Sequence, residues 1–402
     1  MAAGSGEGAV SGPFSITVAS LAYGLDLRAR AVNGALNPNR TIPTRRALLV
    51  SVDLDIAVHS VITDRLTVCV RELHGREDGW PVIFLHDELT SSPLFFRAMQ
   101  AMPEQYRPMA VDLRGYGGTD TVPVDATRGL ADFAEDVRAT LDALGLAQVH
   151  LVGWSMGGGV AMQLVIDDPA RALSVTVVNP MSPYGFGGTT GADGRLLSPD
   201  GAGSGGGIAN AQFVAALNGE DVPDDAPTSP GTVFRTLYVA AGWDSEHEDT
   251  YIASMLSTAI GPNNYPGDWV ESSTWPGMAP GARGVLNAMA PRHLDLSAFA
   301  DVDPQPPVLW VRGELDTIVS DNSMLDLAQL GALGVLPGYP GAEVAPPQPM
   351  LAQTRSLLDA YASSGGSYRE VVMPGVGHSP HIEATEEFCA LLADHLAASV
   401  PA

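Results

Sequence analysis

QVHLVGWSMGGGVAMQLVI, residues 148–166, decides the fold of this 402-residue chain. Gln148 to Gly153 is a short, mostly apolar run of the kind buried on both faces of a parallel sheet, and Gly157 to Ile166 reads as a helix. Between them lies Gly153-Trp154-Ser155-Met156-Gly157, a G-x-S-x-G sequence. A strand that turns at once into a helix must bend sharply at Ser155. Glycines on either side leave room for that bend and lift the hydroxyl above the sheet edge.

Working outward, the same rhythm repeats. Pro81 to Leu85 and Pro108 to Asp112 read as strands, Leu94 to Met102 and Leu130 to Leu144 as helices, and Leu173 to Val178 as a strand closed by Asn179-Pro180. Upstream, Ala57 to Ile62 and Leu66 to Glu72 read as a hairpin turning near Thr63-Asp64. The rhythm resumes with the strand Val308 to Arg312, a helix near Met350 to Ala362, the strand Tyr368 to Met373 and a helix over Ala384 to Ala397. Strands alternating with helices predict an α/β fold with a doubly wound, mostly parallel sheet.

From 181 to 296 the sequence differs in kind. Gly185 to Gly207 is rich in Gly and Ser, and short helical pieces follow at Ala209 to Leu217 and Thr250 to Ala259. This segment is expected to be a mainly helical cap inserted into a core made of residues 47–180 and 297–402. Gly331 to Pro349, rich in Gly and Pro, is expected to loop over the surface. Residues 1–46 read as an N-terminal extension, partly flexible.

Composition excludes several functions. Apolar residues make up 45% and charged ones 17%, with mean hydropathy +0.09, so general disorder is excluded. No uninterrupted run of about 18 apolar residues is present to span a membrane. The formal charge is −25, from 46 acidic residues against 21 arginines and no lysine, which disfavours nucleic acid and anionic lipid as partners. Cys69 and Cys389 stand far apart, without the spacing of a thiolate metal site or a disulfide framework. Met1 to Ser20 lacks a basic start followed by an apolar core, so a cytoplasmic location is expected.

A serine hydroxyl needs a base, and the base needs an orienting group. Asp316 follows the strand Val308 to Arg312, and His378 follows the strand Tyr368 to Met373. Both therefore fall on loops beyond the C-terminal ends of strands, where Ser155 also falls. Glu314 and Asp321 are rival acids.

This constellation resembles the α/β-hydrolase superfamily over roughly Val50 to the C-terminus. The resemblance implies a catalytic triad of Ser155, His378 and Asp316. The family's other acid position is held here by Asn179, which favours Asp316. It also implies oxyanion donors at the backbone N–H groups of Met156 and Glu88. In the loop that carries Glu88 the family usually has His-Gly, whereas this chain has His86-Asp87. The Glu88 carboxyl is expected to point away from the oxyanion or to touch substrate.

His86, Leu89, Trp154, Tyr184 and His381 are expected at the substrate pocket, with further aromatic residues from the insertion. The acidic run Asp244 to Asp249 reads as the start of a helix rather than a metal site, and the glycine runs lack nucleotide-binding spacing. No metal or organic cofactor is implied. The expected function is serine hydrolysis of an ester or lactone bond in a neutral, lipophilic small molecule. Alternatives on the same triad are a cofactor-free perhydrolase or haloperoxidase and a C–C bond or amide hydrolase. A ligand receptor on a hydrolase scaffold is the alternative of another class. Substrate identity and oligomeric state stay open.

Overall fold

The computed structural model describes residues 55–399. The expected extension, residues 1–46, lies outside the described residues. Eight strands form one sheet: β1 (Ile56–Ile62), β2 (Thr67–Leu73), β3 (Trp80–Leu85), β4 (Tyr106–Val111), β5 (Val149–Trp154), β6 (Ala172–Val178), β7 (Val308–Gly313) and β8 (Tyr368–Met373). Their order is β1-β2-β4-β3-β5-β6-β7-β8. β1 and β2 form the predicted hairpin, with Ile62 opposite Thr67. The Thr63 hydroxyl closes its turn by donating to the Leu66 carbonyl at 2.7 Å. β2 runs antiparallel to β4, and every later pairing is parallel.

The apolar runs explain the layering. Every residue of β5 and β6 is buried, as a parallel strand covered on both faces requires. Helix α1 (Phe96–Ala101) packs against α5 (Thr385–Ala397), and α2 (Ala131–Ala143) packs against α3 (Met156–Asp167). In α2 the buried set Phe133, Ala134, Val137 and Leu141 forms one stripe at helical spacing. Helix α4 (Met350–Ser363) buries Met350, Leu357, Leu358 and Tyr361 in the same way.

The register brings the functional loops together. Leu85 pairs with both Val111 and Gly153, Trp154 with Val178, Val178 with Val311, and Gly313 with Met373. The strands therefore end level, and the segments after β3, β5, β6, β7 and β8 meet at one edge.

Between β6 and β7 the insertion combines helices Ala211–Leu217, Pro230–Val233, Glu248–Leu256 and Val285–Ala288 with three short ribbons. It is tied to that edge at specific points. Tyr238 donates to Asp87 at 2.8 Å, the Ser91 N–H donates to the Ser254 hydroxyl at 2.7 Å, and the Ala240 N–H donates to Glu383 at 2.7 Å. The stretch expected to loop from Gly331 begins inside a helix, Leu327–Ala332, whose Leu327 and Leu330 pack with Leu336 in a small separate cluster. Among the described residues no helix is long and apolar enough to cross a membrane.

Candidate active site

Ser155 sits between β5 and α3 at φ 53°, ψ −116°. A left-handed conformation costs a non-glycine residue about 1–2 kcal/mol, and the surroundings hold it there. The Ser155 N–H donates to the Val178 carbonyl, and its own carbonyl accepts from Gly158, Gly159 and Met181. The two flanking glycines are required by contact. A Cβ on Gly153 would lie 2.2 Å from the Gly157 carbonyl oxygen, and one on Gly157 would lie 2.1 Å from that of Leu85. Because Met156 opens α3, its N–H has no carbonyl four residues back in the helix and stands at the positive end of the helix dipole.

Asp316 and His378 are brought together. His378 Nδ1 lies 2.9 Å from Asp316 Oδ2, and both side chains are buried. The other Asp316 oxygen accepts from the Ile318 and Val319 N–H groups at 2.8 and 3.1 Å, which aims the carboxylate at the ring. Burial works to lower the His378 pKa, but Asp316, helped by Asp87 and Glu88, holds it above the ordinary histidine value. The rival acids are engaged elsewhere: Glu314 accepts from the Gly375 N–H and Asp321 from the Leu351 N–H.

Three residues outside the predicted set fix the His378 loop. The Asn179 amide donates to the Gly377 and His378 carbonyls at 3.2 and 2.7 Å and accepts from the Gly313 N–H at 3.0 Å. Asn179 therefore staples β7 to the loop after β8. Glu383 accepts from the Gly377 and Ser379 N–H groups. Tyr238 lays its ring edge-on to both Trp154 and His378, with centroids 5.9 and 5.8 Å away. A polar residue ending β6 was legible as a site position, but its bonding to a loop 198 residues away was not.

The loop after β3 departs from expectation in an informative way. Among the described residues, Ser155 and Asn179 are the only non-glycines with positive φ, so Asp87 needs no glycine-like backbone. Its carboxylate accepts from Thr90 and from Tyr238 and faces the insertion. The Glu88 carbonyl accepts from the Tyr116 hydroxyl at 2.6 Å, which orients the peptide. The Glu88 carboxyl does not point away. It is buried and lines a cavity, and the Ser155 hydroxyl and its own N–H both act to lower its pKa.

That cavity measures about 100 Å³ and is walled by Leu89, Phe186, Phe213, Leu237, Tyr238, Tyr265 and Met289 beside Glu88. Of the expected pocket residues only Leu89 lines it, and the other four are corrected. His86 is fully buried; its Nε2 accepts from the Leu113 N–H at 2.9 Å, so the proton sits on Nδ1 and is donated to the Asp87 carbonyl at 2.7 Å. Both nitrogens are spent on shaping the loop. Trp154 is fully buried and donates to the His378 carbonyl at 2.8 Å. Tyr184 packs over Gly194, so closely that a Cβ there would strike its ring. His381 is sealed among Phe95, Trp154 and Phe388, and burial, then the nearby His378, drives its pKa down to about 3.

Residues 81–203 match the alpha/beta hydrolase fold family, a span that includes Glu88 and Ser155 but ends before Asp316 and His378. The chain is 33% identical over 110 residues to carboxylesterase YbfK of Bacillus subtilis, a match covering 27% of this chain and 37% of the relative. It is 34% identical over 125 residues to 3-oxoadipate enol-lactonase 1 of Acinetobacter baylyi, covering 30% of this chain and 46% of that one. The chain thus spans less than half the length of these relatives. Likeness of fold extends further. The crystal structure of YbfK covers 86% of this chain and 93% of its own at TM-score 0.52 and 17% identity. An esterase structure from Exiguobacterium antarcticum covers 85% and 99% at TM-score 0.53 and 16% identity. Residues 81–203 match that family, and the likeness to these esterase structures shows that the chain has the α/β-hydrolase fold.

Proposed function

We propose that this chain is a serine hydrolase that opens a carboxylic ester or lactone bond of a neutral, lipophilic small molecule. One observation carries the reading: a buried Asp316–His378 pair at 2.9 Å lies on loops that leave the same sheet edge as the strained strand-to-helix serine. The partial similarity to a carboxylesterase and an enol-lactonase supports it.

In this reading His378 Nε2 takes the Ser155 proton while Ser155 Oγ attacks the carbonyl carbon. The carbonyl π electrons move to oxygen, and the Met156 and Glu88 N–H groups hold the resulting oxyanion. Asp316 keeps the Nδ1–H tautomer and stabilises the imidazolium. Collapse returns the electrons, breaks the bond to the alcohol oxygen and passes it the proton from Nε2. A water deprotonated by His378 then releases the acid from Ser155. The segment 181–296 acts as a cap, and the cavity its aromatic residues wall beside Glu88 and Leu89 is assigned to the acyl chain.

At about 100 Å³ the cavity is smaller than the roughly 150 Å³ void that holds benzene. Short acyl groups are therefore the expected substrates. Hydrolysis of p-nitrophenyl esters of graded chain length tests this. The expected result is an optimum at short acyl chains and a drop of about 10⁴ to 10⁶ in kcat for Ser155→Ala. Unchanged turnover in that variant would defeat the reading.

A further inference from the structure

Glu88 is the one carboxylic acid lining the apolar cavity, and it is 91% buried, with 9% relative exposure. Its Oε2 has no hydrogen-bond partner. The groups that face it come from every surrounding element. Asp87 shares its loop; Tyr116 comes from the loop after β4, Ser155 from the elbow, His378 from the loop after β8, and Tyr238 and Tyr265 from the insertion. Of these only His378, when protonated, is a cation that favours the carboxylate; no arginine is among them. Asp87 adds a like charge, and Tyr116 spends its hydroxyl on the Glu88 carbonyl.

Its own backbone N–H and the Ser155 hydroxyl both act to favour the charged carboxylate. Those are the groups that a bound acyl carbonyl would engage if the serine-hydrolase reading above, on which this inference rests, is right. We propose that Glu88 sets the pH dependence of this site: its neutral form yields the oxyanion hole to the substrate carbonyl, and its carboxylate form closes it. An ionised Glu88 would compete for the donor and repel the developing oxyanion across a short, poorly solvated gap. A neutral carboxyl does neither.

Geometry and proton affinity agree. Burial, reinforced by Asp87, raises the Glu88 pKa to about 7, while its own N–H, His378 and Ser155 pull the other way. Glu88 is thus neutral below that value and ionised above it. His378 must lose its proton to act as base, and ionised Glu88 raises its affinity for that proton. The active form holds a proton on Glu88 and none on His378 Nε2, so the two groups titrate as a pair and give a narrow bell near neutral pH.

The test follows kcat/KM for a neutral short-chain ester, and in parallel the rate of Ser155 labelling by a neutral fluorophosphonate, from about pH 5 to 10. Wild type should fall about tenfold per unit on the alkaline side. Glu88→Gln and Glu88→Ala should lose this falling limb, and their rising limb should move to lower pH because His378 loses a neighbouring charge. Thermal melting confirms that each variant is folded. A folded variant that keeps the wild-type alkaline limb, or is inactive at every pH, overturns the proposal while wild-type labelling leaves the hydrolase reading intact. Absence of Ser155 labelling in wild type at any pH overturns both.

Discussion

Asp316 receives three hydrogen bonds, two from the backbone N–H groups of Ile318 and Val319 and one from His378. The backbone pair fixes which way the carboxylate faces, so its interaction with the imidazole is set before substrate arrives. Asparagine at this position would keep the shape but present an amide, and His378 would lose its preference for the Nδ1–H tautomer. Asp316→Asn is expected to lower kcat by about 10⁴ with little change in melting temperature, as steady-state kinetics beside thermal melting would show. An effect smaller than tenfold would mean another group orients the base. At this scale legibility divided by range. Ser155 could be read because its glycines are adjacent, and Asp316 and His378 because each closely follows an apolar strand. The destinations of His86, Trp154, Tyr184 and His381 depended on partners distant in sequence. A loop histidine looks the same whether its nitrogens meet substrate or, as for His86, a backbone N–H and a carbonyl.

At the scale of elements, the elbow works only if α3 can press against the end of β3. Gly157 allows it, since any Cβ there would collide with the Leu85 and His86 carbonyls. Gly157→Ala should push the start of α3 away from the loop that carries Glu88 and separate the two proposed oxyanion donors. A displacement of 1 Å can cost about 100-fold in rate, so kcat should fall at least that far while circular dichroism still reports the α/β fold. Asn179 is the matching device across the sheet. Asn179→Ala removes bonds to Gly377, His378 and Gly313 and leaves buried backbone groups unpaired, each worth about 1–3 kcal/mol. A fall in melting temperature together with reduced kcat is expected; an unchanged kcat would show that the Trp154 and Glu383 contacts suffice. The strands themselves were visible to within two residues, most plainly β5 and β6, because parallel strands buried on both faces leave few alternatives. The insertion was legible mainly as a break in that rhythm. Its ribbons pair short segments such as Thr189–Thr190 with Arg195–Leu196, too brief to show a period.

Across the whole molecule, acid sensitivity should follow from neutral histidines rather than from the net charge of −25. His150 and His381 are fully buried, and burial lowers their pKa values to about 4 and about 3. In the unfolded chain each takes up a proton near the ordinary value of about 6.5. Between these values the unfolded state binds more protons, so the stabilisation present above about pH 6.5 is lost as pH falls, by up to about 1.4 kcal/mol per unit and residue. These two histidines act to lower the melting temperature from about pH 6.5 towards pH 4. They act against Glu88 and Asp326, whose pKa values burial raises to about 7 and about 6, so that both take up protons in the folded state over the same range. His381→Phe should lessen the decline by removing one buried base from an aromatic cage. An equal decline in that variant would place the acid sensitivity elsewhere. The cavity, like the histidine environments, was not foreseeable in detail. Its walls come from Glu88 and Leu89 in the core and from residues as distant as Met289, a set that no local pattern marks.

In the proposed mechanism Ser155 carries the covalent step with His378 as its base. The most direct measurement is intact mass and peptide mapping of the protein after exposure to a fluorophosphonate, for wild type, Ser155→Ala and His378→Ala. One adduct on the Ser155 peptide is expected in wild type, none in Ser155→Ala, and labelling slowed by at least about 100-fold in His378→Ala. Labelling at another residue, or equal labelling without His378, would contradict it.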